Sequence, residues 1–381
     1  VARAFAARFL SEIPRFSGVL RRFASGVASA KANRAMRFSQ KCNNFAPQDA
    51  LAGGAGKAYN PGGTSRCQSR GKSICAGGEF MFIADAHCDA LYRMVTGGSP
   101  RSTTPETLKQ GGVGVQALAM FAGEDEDRGF HRARPLCEAL AAFGVPVLTG
   151  DMPKTLPTTP HAVATVEGGE LFEGDLDKLR ALDADVRVRM IALTWNFENE
   201  LGFPAMGGSK NGLKPRGREF LAEMGRLCVL ADVSHLNEAG FWDVCEFSLL
   251  PPVASHSDCR WLCDVPRNLT REQARAIFER KGYIGINFCP EFLREDGRAA
   301  IDDVVRHMDA YMELGGEDCV GFGSDFDGIS ETPESLSTAA DFPKVLEALA
   351  KRGYTQTQIE KIAGLNLYRV LRETDRGQEG K

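Results

Sequence analysis

The residues best placed to do chemistry begin with Phe80-Met-Phe-Ile-Ala-Asp-Ala-His-Cys-Asp89, an apolar run that ends in Asp85, His87 and Asp89. Read as a strand, alternation puts those three side chains on one face, with Ala86 and Cys88 on the other. Imidazole beside carboxylate suits Zn²⁺ or a similar divalent cation. Downstream, Glu167 is followed by Gly168-Gly169, and Asp232-Val-Ser-His235, His256-Ser-Asp258 and Gly323-Ser-Asp325-Phe-Asp327-Gly328 each follow a short apolar run. The chain has six His, and three of them (His87, His235, His256) fall at such ends. His131, His161 and His307 lie elsewhere and read as structural or solvated.

The elements that must position these residues alternate. Strand-like runs cover 80–86, Val113–Phe121, Ala162–Val166, Met190–Thr194, Cys228–Val233, Pro252–Ser255, Tyr283–Phe288 and Cys319–Phe322. Helix-compatible stretches between them include Arg132–Phe143, Leu176–Leu182, Pro215–Leu227, Arg271–Lys281 and Asp302–Leu314. Pro215 suits a first helical turn, and Asn268-Leu-Thr-Arg-Glu-Gln resembles a capped helix entry. Eight strands alternating with helices predict an α/β fold of the (β/α)₈ type, a TIM-like barrel with its metal site at the strands' C-terminal ends. A doubly wound open sheet is the alternative, although no Gly-x-Gly-x-x-Gly follows the first strand.

The length of 381 residues, 43% of them hydrophobic, allows a large core. No uninterrupted apolar run is long enough to span a membrane. The net charge of −4 conceals an asymmetry: residues 1–80 carry 13 basic and 3 acidic residues, leaving 33 against 47 in 81–381. An acidic body argues against nucleic acid or anionic lipid as partner. The 11 Cys contain no Cys-x-x-Cys pair and form no disulfide framework, which indicates a reducing compartment and a cytoplasmic location. Residues 1–80, rich in Arg, Ala, Ser and Gly, read first as a disordered or non-native extension preceding the (β/α)₈ domain at 81–381. An Arg-rich organelle transit peptide and an amphipathic surface-binding segment around Phe5–Phe23 are the competing readings.

Three His with Asp89 and Glu167 supply more donors than one tetrahedral zinc uses, whereas two metals bridged by one carboxylate would use all five. Such a pair lowers the pKa of a bridging water, making hydroxide available near neutral pH, and polarises a carbonyl. Asp325, outside that count, is the natural proton shuttle to a leaving amine, while Asp327-Gly328 reads as an Asx-stabilised turn. Arg267-Asn268 lies beyond the ligands on the same rim, where the Arg either holds a substrate carboxylate or braces a loop. Asp85 is left over and is placed behind the ligands, orienting one of them.

Taken in order, Asp85-Ala-His-Cys-Asp89, Gly111-Gly-Val-Gly-Val-Gln116, Val166-Glu-Gly-Gly169, Leu193-Thr-Trp-Asn196, Gly212-Leu-Lys-Pro-Arg-Gly217, Asp232-Val-Ser-His235, Ser255-His-Ser257, Arg267-Asn268 and Gly321-Phe-Gly-Ser-Asp-Phe-Asp-Gly328 resemble the membrane (renal) dipeptidase family of zinc dipeptidases. The similarity covers 81–381 and none of 1–80. It implies hydrolysis of dipeptides, including those with a C-terminal D-residue, by two Zn²⁺ per chain in a (β/α)₈ barrel, often a homodimer. By the same resemblance His87 and Asp89 bind one zinc, His235 and His256 the other, Glu167 bridges, Asp325 is the acid/base and Arg267 grips the dipeptide carboxylate. Trp195 departs from the mammalian members, which carry a His there that assists at the substrate's peptide group. Indole can donate a single hydrogen bond and cannot take a proton, so Asn196, another donor or the metals must serve instead. The polar end Arg376-Gly-Gln-Glu-Gly-Lys381 offers no lipid-anchor signal. Two other readings stay open: a barrel metallohydrolase acting on cyclic amides, lactones or phosphoesters, and a catalytically silent metal-binding homologue.

Overall fold

The computed structural model describes residues 81–125 and 127–377; the expectation for residues 1–80 lies outside the described residues. Eight parallel strands close a barrel in sequence order: β1 (Ile83–Asp85), β2 (Val113–Phe121), β3 (His161–Glu167), β4 (Val188–Ala192), β5 (Leu230–Asp232), β6 (Val253–Ala254), β7 (Tyr283–Ile286) and β8 (Val320–Phe322). The ring closes through Asp85 of β1 beside Phe322 of β8. The (β/α)₈ expectation therefore holds, and the open sheet is excluded. Both faces of each strand are covered, so the strands read as continuous apolar runs. Phe82, Ala84, Val115, Val163, Met190, Leu230, Val253 and Tyr283 belong to one buried cluster, joined by Leu367 and Leu371 of the last helix, Asn366–Arg372. Ile83, Val113, Ala164, Ile191, Ala231 and Ile284 pack instead with the surrounding helices.

The N-terminal ends of the strands are sealed by the C-terminal segment. Tyr368 meets the ring of Phe82 edge-on with centroids 5.4 Å apart. The fully buried Arg189 near the start of β4 donates to Thr374 Oγ1 at 2.7 Å and also to the carbonyl of Gly150. Burial lowers the Arg189 pKa to about 10, and the guanidinium keeps its charge at neutral pH.

Helix boundaries follow local chemistry. Thr270 caps Arg271–Glu279 in a reciprocal box with Gln273, Pro215 opens Pro215–Arg226, and Asn237 accepts from Gly240 N–H ahead of Glu238–Phe247. Several strands are shorter than the sequence predicts. β6 has only Val253 and Ala254, and β7 stops at Ile286, because the polar residues beyond them turn away into the loops that carry the site.

Candidate active site

At the first strand the sequence expectation needs correction. β1 ends at Asp85, Cys88 keeps only an isolated bridge to Phe326, and Asp89 is already the N-cap of the helix Ala90–Val95. Strict alternation therefore does not carry His87 and Asp89; a turn brings them together, with His87 Nε2 3.2 Å from Asp89 Oδ2. Asp85 faces a different task. It accepts from Ser324 N (2.8 Å), Ser324 Oγ (2.6 Å) and Gln116 Nε2 (2.9 Å), and so ties β1 and β2 to the segment bearing Asp325. It touches no ligand side chain directly; it holds Ser324, whose Oγ in turn donates to the carbonyl of His87 at 3.3 Å.

Glu167, the last residue of β3, stands at the centre. Its Oε1 lies 2.9 Å from His235 Nε2, 3.5 Å from His256 Nε2 and 3.6 Å from His87 Nε2. The rings of His87 and His256 stack with centroids 3.9 Å apart. Asp325 Oδ1 completes the group, 3.7 Å from His87 Nε2. Thus five residues predicted as ligands, with Asp325, converge from the ends of β1, β3, β5, β6 and β8, all of them buried or nearly so.

The two remaining ring nitrogens decide the chemistry. His235 Nδ1 donates to Asn196 Oδ1 at 2.8 Å. Ser255 Oγ donates to Asp232 Oδ2 and must therefore accept from His256 Nδ1, 2.7 Å away. Both tautomers are fixed with a bare lone pair on Nε2, yet the two Nε2 atoms lie 3.0 Å apart and face a carboxylate. Acceptors crowded in this way repel one another, and a cation between them removes the conflict. The titration behaviour agrees. Burial holds His235 and His256 well below the ordinary imidazole range, which keeps them neutral. Burial opposes protonation of His87, but Glu167, Asp89 and Asp325 outweigh it and lift its pKa to about 10. Burial, then the charge of Asp89, pushes Glu167 well above a normal carboxyl. The donor set fits divalent metal.

Asp325 has a left-handed backbone, φ 60°, which a hydrogen bond from its N–H to the His87 carbonyl (3.2 Å) holds in place. Asn287 Nδ2 donates to its Oδ2 at 2.9 Å, and burial raises its pKa to about 6. Asn287 is hidden in the sequence because Phe288 beyond it prolongs the strand-like run; the strand ends at Ile286, which makes Asn287 another polar residue at a strand end. Asp327 is more than a local turn. Its carboxylate accepts from the backbone N–H groups of Arg101 (2.7 Å), Ser102 (3.2 Å) and Thr103 (2.9 Å), clamping the loop before the helix Pro105–Gly111. Gly328 lies so close to Asp89 Oδ2 and Asp325 Oδ1 that any Cβ would collide with both.

Asp89, Glu167, His235 and Asp325 line a cleft of about 720 Å³. Arg267 is 5% exposed and lines it, with Nη2 lacking a protein partner and the guanidinium 5.5 Å from the Phe292 ring. Trp195 forms another wall, packed between Phe121 (4.8 Å) and Phe197 (5.1 Å). Asn268 is not brought to the cleft: its amide donates to the carbonyls of Cys263 (2.9 Å) and Phe292 (2.8 Å) beneath the Arg267 loop. The other three His behave as expected. His307 bridges Cys259 N–H and the Leu293 carbonyl, His161 contacts the Thr159 carbonyl, and the exposed His131 pairs with Asp127. The described Cys are unpaired.

A closed (β/α)₈ barrel with a buried His/carboxylate cluster at its C-terminal mouth defines a metal-dependent hydrolase. Comparison with known proteins narrows the class. The family model for membrane dipeptidase, peptidase family M19, matches residues 78–380, and the chain belongs to that family of dipeptide-cleaving metallopeptidases. An uncharacterised protein from the pqqA 5′ region of Klebsiella pneumoniae is 39% identical over 220 residues, 55% of this chain and 80% of the relative. An uncharacterised dipeptidase of Schizosaccharomyces pombe is 31% identical, over 58% of this chain and 59% of its own length. The chain thus spans less than two thirds of that relative. Among solved structures, the metallopeptidase called dipeptidase AC has a TM-score of 0.69 at 27% identity, covering 78% of this chain and 99% of that one. A Rhodobacter sphaeroides metallopeptidase, bound to a phosphinate mimic of the dipeptide L-Ala-D-Ala, has a TM-score of 0.71 at 25% identity, covering 78% and 100%. Among the described residues no helix is long and apolar enough to cross a membrane.

Proposed function

We propose that the chain hydrolyses dipeptides, including those with a C-terminal D-residue, with two zinc ions at the cluster. The observation that carries this reading is the pair of bare Nε2 atoms of His235 and His256, 3.0 Å apart and facing Glu167. His87 and Asp89 would hold one cation, His235 and His256 the other, with Glu167 shared. The cations would supply a water acidified to near-neutral pKa and positive charge for the peptide carbonyl. This chain's own residues do the rest. Asp325, with its carboxyl lifted to about 6 by burial and steadied by Asn287, takes a proton from the attacking water and passes it to the leaving amine. Arg267, buried with an unpartnered Nη2, receives the substrate's free carboxylate and sets the register of the scissile bond. Asn196 and the Asp232–Ser255 pair fix the tautomers of His235 and His256. Trp195 offers a flat wall and one donor where mammalian family members carry a base. The extension to D-residues draws support from the L-Ala-D-Ala mimic bound to the Rhodobacter relative. A panel of L-Ala-D-Ala, Gly-D-Ala and all-L dipeptides, assayed on zinc-loaded protein, tests the proposal. Turnover is expected on the free dipeptides and little on their C-terminal amides; intact dipeptides across the panel would refute it.

A further inference from the structure

Barrel order places the two ends of a bound dipeptide. Arg267 belongs to the connection after β6, four strands round an eight-strand ring from β2, so the loop following β2 stands across the mouth. A dipeptide whose carboxylate sits on Arg267 and whose peptide bond lies over the His cluster therefore directs its N-terminal residue toward that loop. There the cleft wall is aromatic. Tyr92 packs against Phe121 (5.0 Å, 60°), and Phe121 against Trp195 (4.8 Å, 45°); all three line the cleft. Glu124, three residues past the end of β2, lines the same side; it is exposed and has no ion-pair partner among the described residues. Its neighbour Asp125 is already engaged by Arg132 at 3.0 Å. The same aromatic row holds a cation one ring further out, where Arg128 sits 4.2 Å above Phe197. Away from the metal-ligand group, Glu124, Glu291, Asp296 and Glu331 on the cleft outnumber its cations, Arg93 and Arg267.

We infer that Tyr92, Phe121, Trp195 and Glu124 form the subsite for the side chain of the substrate's N-terminal residue, and that this subsite selects a long cationic side chain such as Lys or Arg. The inference rests on the dipeptidase reading and refines its substrate class. Aromatic faces attract a cation through their quadrupole, and a free carboxylate at the open end completes its coordination. An apolar side chain of equal length would gain the wall but nothing from Glu124.

The test compares Lys-D-Ala with norleucyl-D-Ala, which share the α-ammonium and four side-chain carbons and differ in the terminal ammonium. For zinc-loaded wild type we expect kcat/KM to favour Lys-D-Ala by about five- to tenfold, the combined size of an exposed cation–π contact and an exposed ion pair. In Glu124→Gln that ratio should fall by about half or more, in Glu124→Asp it should be partly kept, and in wild type it should shrink with added salt. A wild-type ratio at or below one overturns the subsite. So does an equal loss on both substrates in Glu124→Gln, which would assign Glu124 to the α-ammonium. Turnover of neither dipeptide would refute the dipeptidase reading itself, and the subsite with it.

Discussion

Asp325 stands apart from the other two carboxylates of the cluster, Asp89 and Glu167. Asp89 and Glu167 crowd the imidazoles, whereas Asp325 reaches His87 only at 3.7 Å and spends its other oxygen on Asn287. Asp325→Asn keeps that shape while removing the proton acceptor. Its kcat on L-Ala-D-Ala should fall by at least about 10², the usual scale of general acid–base assistance, with bound metal unchanged by atomic absorption. Arg267→Met should raise KM by about ten- to a hundredfold for free dipeptides and leave C-terminal amides nearly untouched, since a charge-assisted bond to carboxylate is worth about 1.5–3 kcal/mol. Behind the imidazoles, Ser255→Ala removes the acceptor for His256 Nδ1–H; metal affinity measured by chelator competition should drop by about ten- to a hundredfold. At this scale the sequence was informative. His87, Asp89, Glu167, His235, His256 and Asp325 stood out because each ends or follows an apolar run. Asn268 misled because it adjoins Arg267, yet its side chain turns inward to two carbonyls. Ser255 carried no such signal, because a buried Ser is made significant only by the Asp232 and His256 on either side of it.

The connections after the strands are what turn scattered ligands into one site, and their bracing is three-dimensional. Asp85 ties β1 to Ser324, Asp327 clamps residues 101–103, and His307 links the loop after β6 to the Leu293 carbonyl from the helix Ile301–Glu313. None of these partners is near its mate in the sequence, which is why the pattern of apolar runs foretold eight strands while their ends and braces stayed hidden. Periodicity locates a strand's middle; its end is set by the first polar group that finds a better partner off the ladder. His307 gives the bracing a pH dependence. Burial lowers its pKa from an ordinary 6.5 to about 4, so the unfolded chain binds the proton first as pH falls. The stability tied to neutral His307 is whole above about 6.5 and is lost as pH falls toward about 4, at about 1.4 kcal/mol per pH unit. Urea unfolding across that range should show the gap between wild type and His307→Asn narrowing as pH drops. A gap independent of pH would mean that His307 does not brace the loop as a neutral ring.

At the scale of the whole molecule, the barrel is sealed at one end by its last helix and Arg189, and open at the other over the cluster. That polarity makes a hydrolytic centre possible: the floor contributes rigidity while the mouth admits substrate. Because the ring from Ile83 to Phe322 and its sealing helix all lie within 81–377, a chain beginning at Met81 should melt at the same temperature as the 381-residue chain and take up the same metal. A lowered melting temperature would give residues 1–80 a part in the domain. The central claim is that the cluster is a two-metal hydrolytic centre whose proton transfers pass through Asp325. It is tested most directly by measuring metal content and L-Ala-D-Ala turnover on the same samples of wild type and Asp325→Asn. Two equivalents of zinc in both, with turnover confined to wild type, is the predicted result. A single equivalent in wild type, or turnover that survives the substitution, would contradict it.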